Sequence, residues 1–437
     1  MYRMFRPARL AIAAALVVSA STAAQAGAML DGFATMPADT FAPGPTSGQF
    51  ASSANGRTLP LVDRQPVQGF SAVLPGPAAG TFRVMPDNGF GTKANSPDTL
   101  LRLYTVRPDF RRWADQGEQG SGTVQPVDRD TGESLTAFDK RSYVTLNDSD
   151  RLLGFPIVAE GDHYPYAGTG PGSADIPVAP QIRERRLLTG ADFDIESVRV
   201  DRRGHLWFGD ELGPFLIETN AKGKVLRAEV PMPGVMSPDN PHLNGGTPNL
   251  GRSRGFEGMA IDAAGRHLFT LLEGTVTGDA AGSLRINRFD IRAGRYTGEQ
   301  WLYKLEPQGT NIGDMTAVNE HQFLVIERNG TETPRFKKIY LIDLNQVGSD
   351  GFVSKTEVVD LMNVADPHDL NRDGATTFTF PFVTIEDVLV LDARTLLVIN
   401  DNNYPGSSRV DGEPDPTEFL RLSLDVTLPL DDQAALR

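Results

Sequence analysis

One pattern recurs along this chain and limits what it can fold into. An acidic residue leads a short alternating apolar strand, a Gly- or Asp-bearing turn follows, and a second apolar strand closes on another acid or amide. Clear copies are Glu196-Ser-Val-Arg-Val-Asp201 with Leu206 to Glu211, and Glu257-Gly-Met-Ala-Ile-Asp262 with Leu268 to Glu273. Two more are Asp314 to Val318 with Phe323 to Glu327, and Glu386 to Val390 with Leu396 to Asp401. The leading acids stand 61, 57 and 72 residues apart. A weaker copy runs from Phe70 to Leu74 and from Phe82 through Asp87 and Asn88. Counted from Ser71 it precedes Glu196 by 125 residues, two periods, which places a divergent unit at about 125–165. Further strand pairs, such as Leu284 to Asp290 with Gln300 to Leu305, fill the intervals. Four strands per repeat predict an all-β fold, a β-propeller of six blades with about four antiparallel strands each. Helical periodicity is too scarce for an α/β fold.

The ends are read differently. Arg3, Arg6 and Arg9 precede an apolar run from Leu10 to Ala20, and Ala24-Gln25-Ala26 offers a small-residue cleavage site. Residues 1–26 therefore read as a secretory leader, too short to span a bilayer. Residues 27–64, rich in Pro, Gly, Ala, Ser and Thr, read as a loose lead-in, leaving 65–437 as the propeller domain. The expectation is a periplasmic or secreted monomer with no membrane association after cleavage. Losing the three leader arginines takes the net charge from −14 to −17. That balance argues against nucleic acid or anionic membrane as a partner. The chain has no Cys, which excludes disulfides, thiolate metal sites and Cys nucleophiles.

The repeat gathers the acids. Side chains alternate along a strand, so Glu196 shares a face with Val198 and Val200, and Glu257 with Met259 and Ile261. In a propeller the first strand of each blade lines the channel, and the hairpin returns the second strand to the same end. Asp87, Glu196, Asp210, Glu211, Glu257, Glu273, Asp314, Glu386 and Asp401 then meet around one mouth. Like charges gathered there call for a cation, and an all-oxygen donor set points to calcium rather than zinc. Strand-end acids also fix blade geometry by accepting backbone N–H bonds or pairing with Arg199, Arg254 or Arg328, and both readings stand at this level.

Taken together, several motifs resemble the phytase-like, "esterase-like activity of phytase", family of exported bacterial proteins. They are Phe193-Asp-Ile-Glu196-Ser, Gly204 through Pro214, Arg254-Gly-Phe-Glu257-Gly-Met-Ala and Phe323 to Arg328, with Ile385-Glu386, Val398 to Asn402 and Met85 to Gly91. The resemblance covers residues 65–425 and implies a β-propeller that hydrolyses phosphate or other esters, small-molecule substrates both. In better-studied propeller phytases calcium binds phytate and activates water. The inserts at 105–135 and 231–252 lack a counterpart.

For such chemistry Glu211, Glu257 and Glu327 are the candidates to hold metal or act as base, and Arg252, Arg254 and Arg328 to clamp phosphate. His242, in an Asp/Pro-rich loop like His163 and His368, and Asn402 are candidate substrate contacts. His205, His267 and His321 fall in hairpin turns and read as bland surface residues. The stretch Asp369-x-Asn371-x-Asp373-Gly374 reads as a second calcium loop or as a run of Asx turns. No Walker loop or dinucleotide fingerprint is present. A non-catalytic binding propeller and a metal-dependent lactonase or carboxylic ester hydrolase are the alternatives.

Overall fold

The computed structural model describes residues 27–168 and 175–431. The expected leader at 1–26 lies outside them. Each repeat folds as an antiparallel hairpin extended by outer strands. The turn chemistry explains the hairpins: in the second repeat Gly204 takes a positive φ of 77°, a conformation that glycine adopts without steric cost. Ile195–Val200, Leu206–Asp210, Phe215–Thr219 and Val230–Pro231 form one four-stranded sheet. Phe256–Ile261 and Asn311–Ala317 each lead another. Phe70–Pro75 and Asp387–Asp392 stand at the two ends of one eleven-stranded sheet, in which the first and last blades are joined at Thr35↔Thr123.

The five leading strands contact one another in sequence, and the last returns to the first. The molecule is therefore an all-β propeller whose ring, among the described residues, closes with five blades instead of the six expected. Residues 125–165 do not form a blade. They supply the short strand Tyr143–Thr145, which pairs with Arg102–Tyr104 on the first blade, and loops around a single 3-10 turn. The insert at 105–135 likewise becomes outer structure of that blade, including the strand Thr123–Pro126.

The lead-in also differs from expectation. Ala28–Met36 is the outer strand of the fifth blade, paired antiparallel from Ala28↔Leu424 to Met36↔Thr417. Ala28, Leu30, Ala34 and Met36 are buried there, but Ala and Gly give the segment little hydropathic contrast, which hid the alternation. The two ends of the described chain thus close the ring within one blade. Large apolar side chains seal the blade interfaces. Phe70, Phe256 and Phe323 are fully buried, and each such ring contributes about 1.5–3 kcal/mol over an exposed one.

Candidate active site at the propeller mouth

A backbone irregularity aims the acids. In the first three blades the leading strand carries one extra residue relative to its partner, between Phe70 and Ala72, Ile195 and Ser197, and Phe256 and Gly258. The extra residues are Ser71, Glu196 and Glu257. A β-bulge re-aims its side chain out of the ladder, here toward the channel entrance. In the fifth blade Glu386 sits just before the leading strand and accepts a hydrogen bond from Ser71 Oγ at 2.9 Å. The fourth blade has the same bulge, between Ile312 and Met315, but no acid at it: a Cβ at Gly313 would lie 2.4 Å from the Ile385 carbonyl oxygen, so no side chain fits.

The result is a cavity of about 280 Å³ at the mouth. Asp87, Asp194, Glu196, Glu211, Glu257, Glu273, Glu386 and Asp401 line it, against three guanidiniums, Arg252, Arg254 and Arg328. Arg328 is buried and lies 2.7 Å from Glu386, 3.1 Å from Glu257 and 3.5 Å from Glu273. Arg254 holds Glu273 at 2.6 Å, and Asn311 donates to the same carboxylate at 2.5 Å. Arg252 turns to Asp239 on the insert at 231–252. The arginines are therefore occupied, and among the described residues the remaining carboxylates have no cation within ion-pair distance.

Two triads stand out: Asp87, Asp194 and Glu196, and Glu211, Glu257 and Glu273, each with ligand oxygens within 4.8 Å of one another. Asp194 Oδ1 and Glu211 Oε1 are buried with no hydrogen-bond partner among the described residues. Burial first, then the carboxylates of Asp401 and Asp194, pushes Asp87 well above the ordinary range. Glu196 is raised by burial and by Asp194 and Glu257. Glu211 is raised by burial and by Glu273 and Glu257. Glu257 rises for the same reasons although Arg328 opposes it. Burial lifts Asp194 to about 6 and Glu386 to about 8. Such a cluster needs either protons or a cation. Two orphaned carboxylate oxygens and a donor set free of His and Cys suit a hard divalent ion.

Among the expected site residues, Asp87, Glu196, Glu211, Glu257, Glu273, Glu386 and Asp401 converge on this cavity with Arg252, Arg254 and Arg328. Five others do not. Asp210 accepts the N–H groups of Asp194 and Gly213 at 2.8 and 2.7 Å and fixes the turn behind the mouth. Asp314 is bound by Arg199 at 2.7 Å within the channel. Glu327 is held between blades by the Tyr303 hydroxyl at 2.5 Å and Lys355 Nζ at 2.6 Å. His242 bonds Glu229 at 2.6 Å and packs edgewise on Phe155 and Phe215. Asn402 donates to the Asp415 carbonyl at 2.8 Å, and its neighbour Asn403 faces the mouth instead.

Sequence reasoning did not place Asp194 at the mouth, although it stands two residues before Glu196, just ahead of the strand Ile195–Val200. The Asp369 to Gly374 loop is a set of Asx turns: Asp369 Oδ1 accepts the Gly374 N–H at 3.0 Å and Asp373 Oδ1 that of Ala375 at 2.7 Å. His205 and His267 are tied to Glu218 and Asp262, both at 2.8 Å, and are not idle surface groups.

The family model described as phytase-like, esterase-like activity of phytase, matches residues 65–404. An uncharacterized secreted protein of Arthroderma benhamiae is 24% identical over 232 residues, 45% of this chain and 44% of that protein. The chain thus matches less than half the length of that relative. Among solved structures, regucalcin of Agrobacterium tumefaciens, a calcium-binding protein, shares 11% identity over 91% of this chain and 99% of its own, with a TM-score of 0.36. The periplasmic gluconolactonase of Pseudomonas aeruginosa shares 15% identity over 92% and 98%, with a TM-score of 0.31. No described helix is long and apolar enough to cross a membrane.

Proposed function

Because the chain belongs to the phytase-like family, esterase-like activity of phytase, we propose that it is an exported, calcium-dependent hydrolase of small-molecule esters acting at the propeller mouth. The observation that carries this reading is the shortage of positive charge there, eight carboxylates against three arginines that already have partners. Asp87, Asp194 and Glu196 are the residues to hold the ion, because among the described residues no arginine pairs with this triad. A bound divalent cation supplies charge neutralisation, polarises an ester oxygen and lowers the pKa of water. Glu211, with Oε1 free of hydrogen bonds, is the group to accept the proton from the attacking water. Arg328 and Arg254 hold Glu257 and Glu273 in place beside it. Residues 1–26 are removed after Ala26, and the mature protein works as a monomer in the periplasm or outside the cell.

One observation favours carboxylic esters or lactones over phosphate esters. A side cleft of about 440 Å³ shares Asp87, Asp401 and Asn403 with the mouth, bears Phe90, Tyr404 and Pro405, and has no basic side chain in its lining. A polyphosphate would find no free clamp there, whereas an uncharged group would be accommodated.

Metal analysis, calcium titration calorimetry and a panel of p-nitrophenyl phosphate, p-nitrophenyl acetate and a simple lactone, each with and without chelator, test the proposal. Calcium uptake with chelator-sensitive turnover is expected, and D194N/E196Q should lose both. Equal turnover with and without chelator refutes metal dependence. Calcium uptake without turnover of any ester would favour a binding propeller.

A further inference from the structure

The strongest departure from the protein's acidic character lies outside the mouth, at the outer junction of the first two blades. A cavity of about 710 Å³ there is lined by Arg102, Arg129, Lys140, Arg141, Arg185 and Lys222 against one carboxylate, Asp63. On a chain of net charge −14 this is a local inversion of sign. Three chain segments build it. Tyr143–Thr145 pairs with Arg102–Tyr104, and Asn147 is bridged to both Leu187 and Lys224. The packing is tight, since a Cβ at Gly223 would lie 2.7 Å from the Thr145 carbonyl oxygen.

Two of the six cations are occupied by the protein itself. Arg141 is bound by Asp139 at 2.9 Å, and Arg129 lies 3.8 Å from Asp130 while donating to the Lys140 and Tyr143 carbonyls. Arg102, Lys140, Arg185 and Lys222 have no carboxylate within ion-pair distance among the described residues. Arg102 is the informative one. It is only 4% exposed, lies over the Tyr143 ring at 4.0 Å, and makes only long bonds to neutral groups, Thr145 Oγ1 at 3.3 Å and Tyr104 Oη at 3.4 Å. A guanidinium withdrawn from water and given no anion retains a strong demand for one. Gly44 keeps its approach open: a Cβ there would lie 3.2 Å from Arg102 Nη2 and 2.5 Å from Gln65.

We propose that this groove is a binding site for a phosphate- or sulfate-type oxyanion, with Arg102 as the buried fork and Lys140, Arg185 and Lys222 as the exposed rim. The planar fork matches two oxygens of a tetrahedral anion, and a rim of point charges on a concave wall focuses the field on the same spot. The site is separate from the mouth and does not depend on the function proposed for it.

The test uses the full chain in chelator, so that no divalent ion at the mouth can bind the probe. Pyrophosphate is titrated by calorimetry at low and at 0.2 M salt, and cosedimentation with phosphatidylglycerol vesicles is run in parallel to separate a free anion from a lipid headgroup. Saturable binding in either arm, weakened by salt and reduced at least tenfold in K140E/K222E, is the expected result. Both substituted residues are exposed, so this variant retains the fold. R102K, which keeps the charge but not the fork, should also weaken binding tenfold or more. Absence of saturable binding in both arms overturns the proposal, as does binding that K140E/K222E leaves unchanged.

Discussion

Without a bound cation this protein should lose stability as the pH rises from 5 to 8, the opposite of acid denaturation. Glu386 is held at about 8 in the folded protein against 4.5 for a free glutamate. Between those values the folded state keeps a proton that the unfolded chain has released. Its contribution is complete below about pH 4.5 and is lost as the pH rises through about 8. At 1.36 kcal/mol per pH unit this one group accounts for about 5 kcal/mol, a large share of a typical folding free energy of about 5–15 kcal/mol. Asp194, moved from 3.8 to about 6, acts in the same direction over a lower window. Surface carboxylates with depressed values, such as Asp139 beside Arg141, are ionised in both states above pH 5 and contribute no slope there. A bound divalent ion replaces the protons and flattens the profile. Urea unfolding followed by circular dichroism at pH 5 and pH 8, in chelator and in millimolar calcium, measures the difference. The chelated protein should lose several kcal/mol at pH 8, and calcium should restore most of it there and little at pH 5. Chelated protein as stable at pH 8 as at pH 5 would refute the argument that these buried carboxylates lack compensating charge.

Other outcomes follow from single contacts. R328M leaves Glu257, Glu386 and Glu273 without their shared partner and should cost about 3–5 kcal/mol in urea unfolding at pH 8. E211Q should keep the fold while lowering turnover about 10²–10⁴-fold, read by steady-state kinetics on the best ester of the panel. E327Q should instead lower the melting temperature and leave calcium affinity unchanged, because Glu327 bonds Tyr303 and Lys355 between blades. R199M strips Asp314 of its cation inside the channel and should cost about 3–5 kcal/mol by the same urea assay.

Much of this was legible because the repeat is written in residue types whose reasons are local. Alternating apolar strands, turn glycines and a leading acid specify a hairpin, and repeating them specifies a propeller. The acids of the mouth were legible for the same reason: Glu196, Glu257 and Glu386 hold equivalent positions in their blades. What the pattern could not convey was the partner of each acid. Asp314 reads as the counterpart of Glu257, yet it lies one position further along its strand, with Gly313 at the bulge, and Arg199, 115 residues away, takes it. Asp210 and Glu211 are adjacent, and only the turn decides that one binds backbone N–H groups and the other faces the channel. The blade count failed on spacing alone, since an insertion within one blade occupies as much sequence as a second blade.

The strand Ala28–Met36 gives the ring a kinetic character. Its seam joins residues as far apart as Asp31 and Arg421, a separation of 390 positions, so it cannot form until nearly the whole chain is available. Loop closure on that scale makes the last blade a late event in folding. Glu386 and Ser71, on the two blades that meet there, complete the acidic circle only once the ends have joined. Fastening of the seam and completion of the acidic circle are therefore one event, and strain that opens the ring parts Glu386 from Ser71.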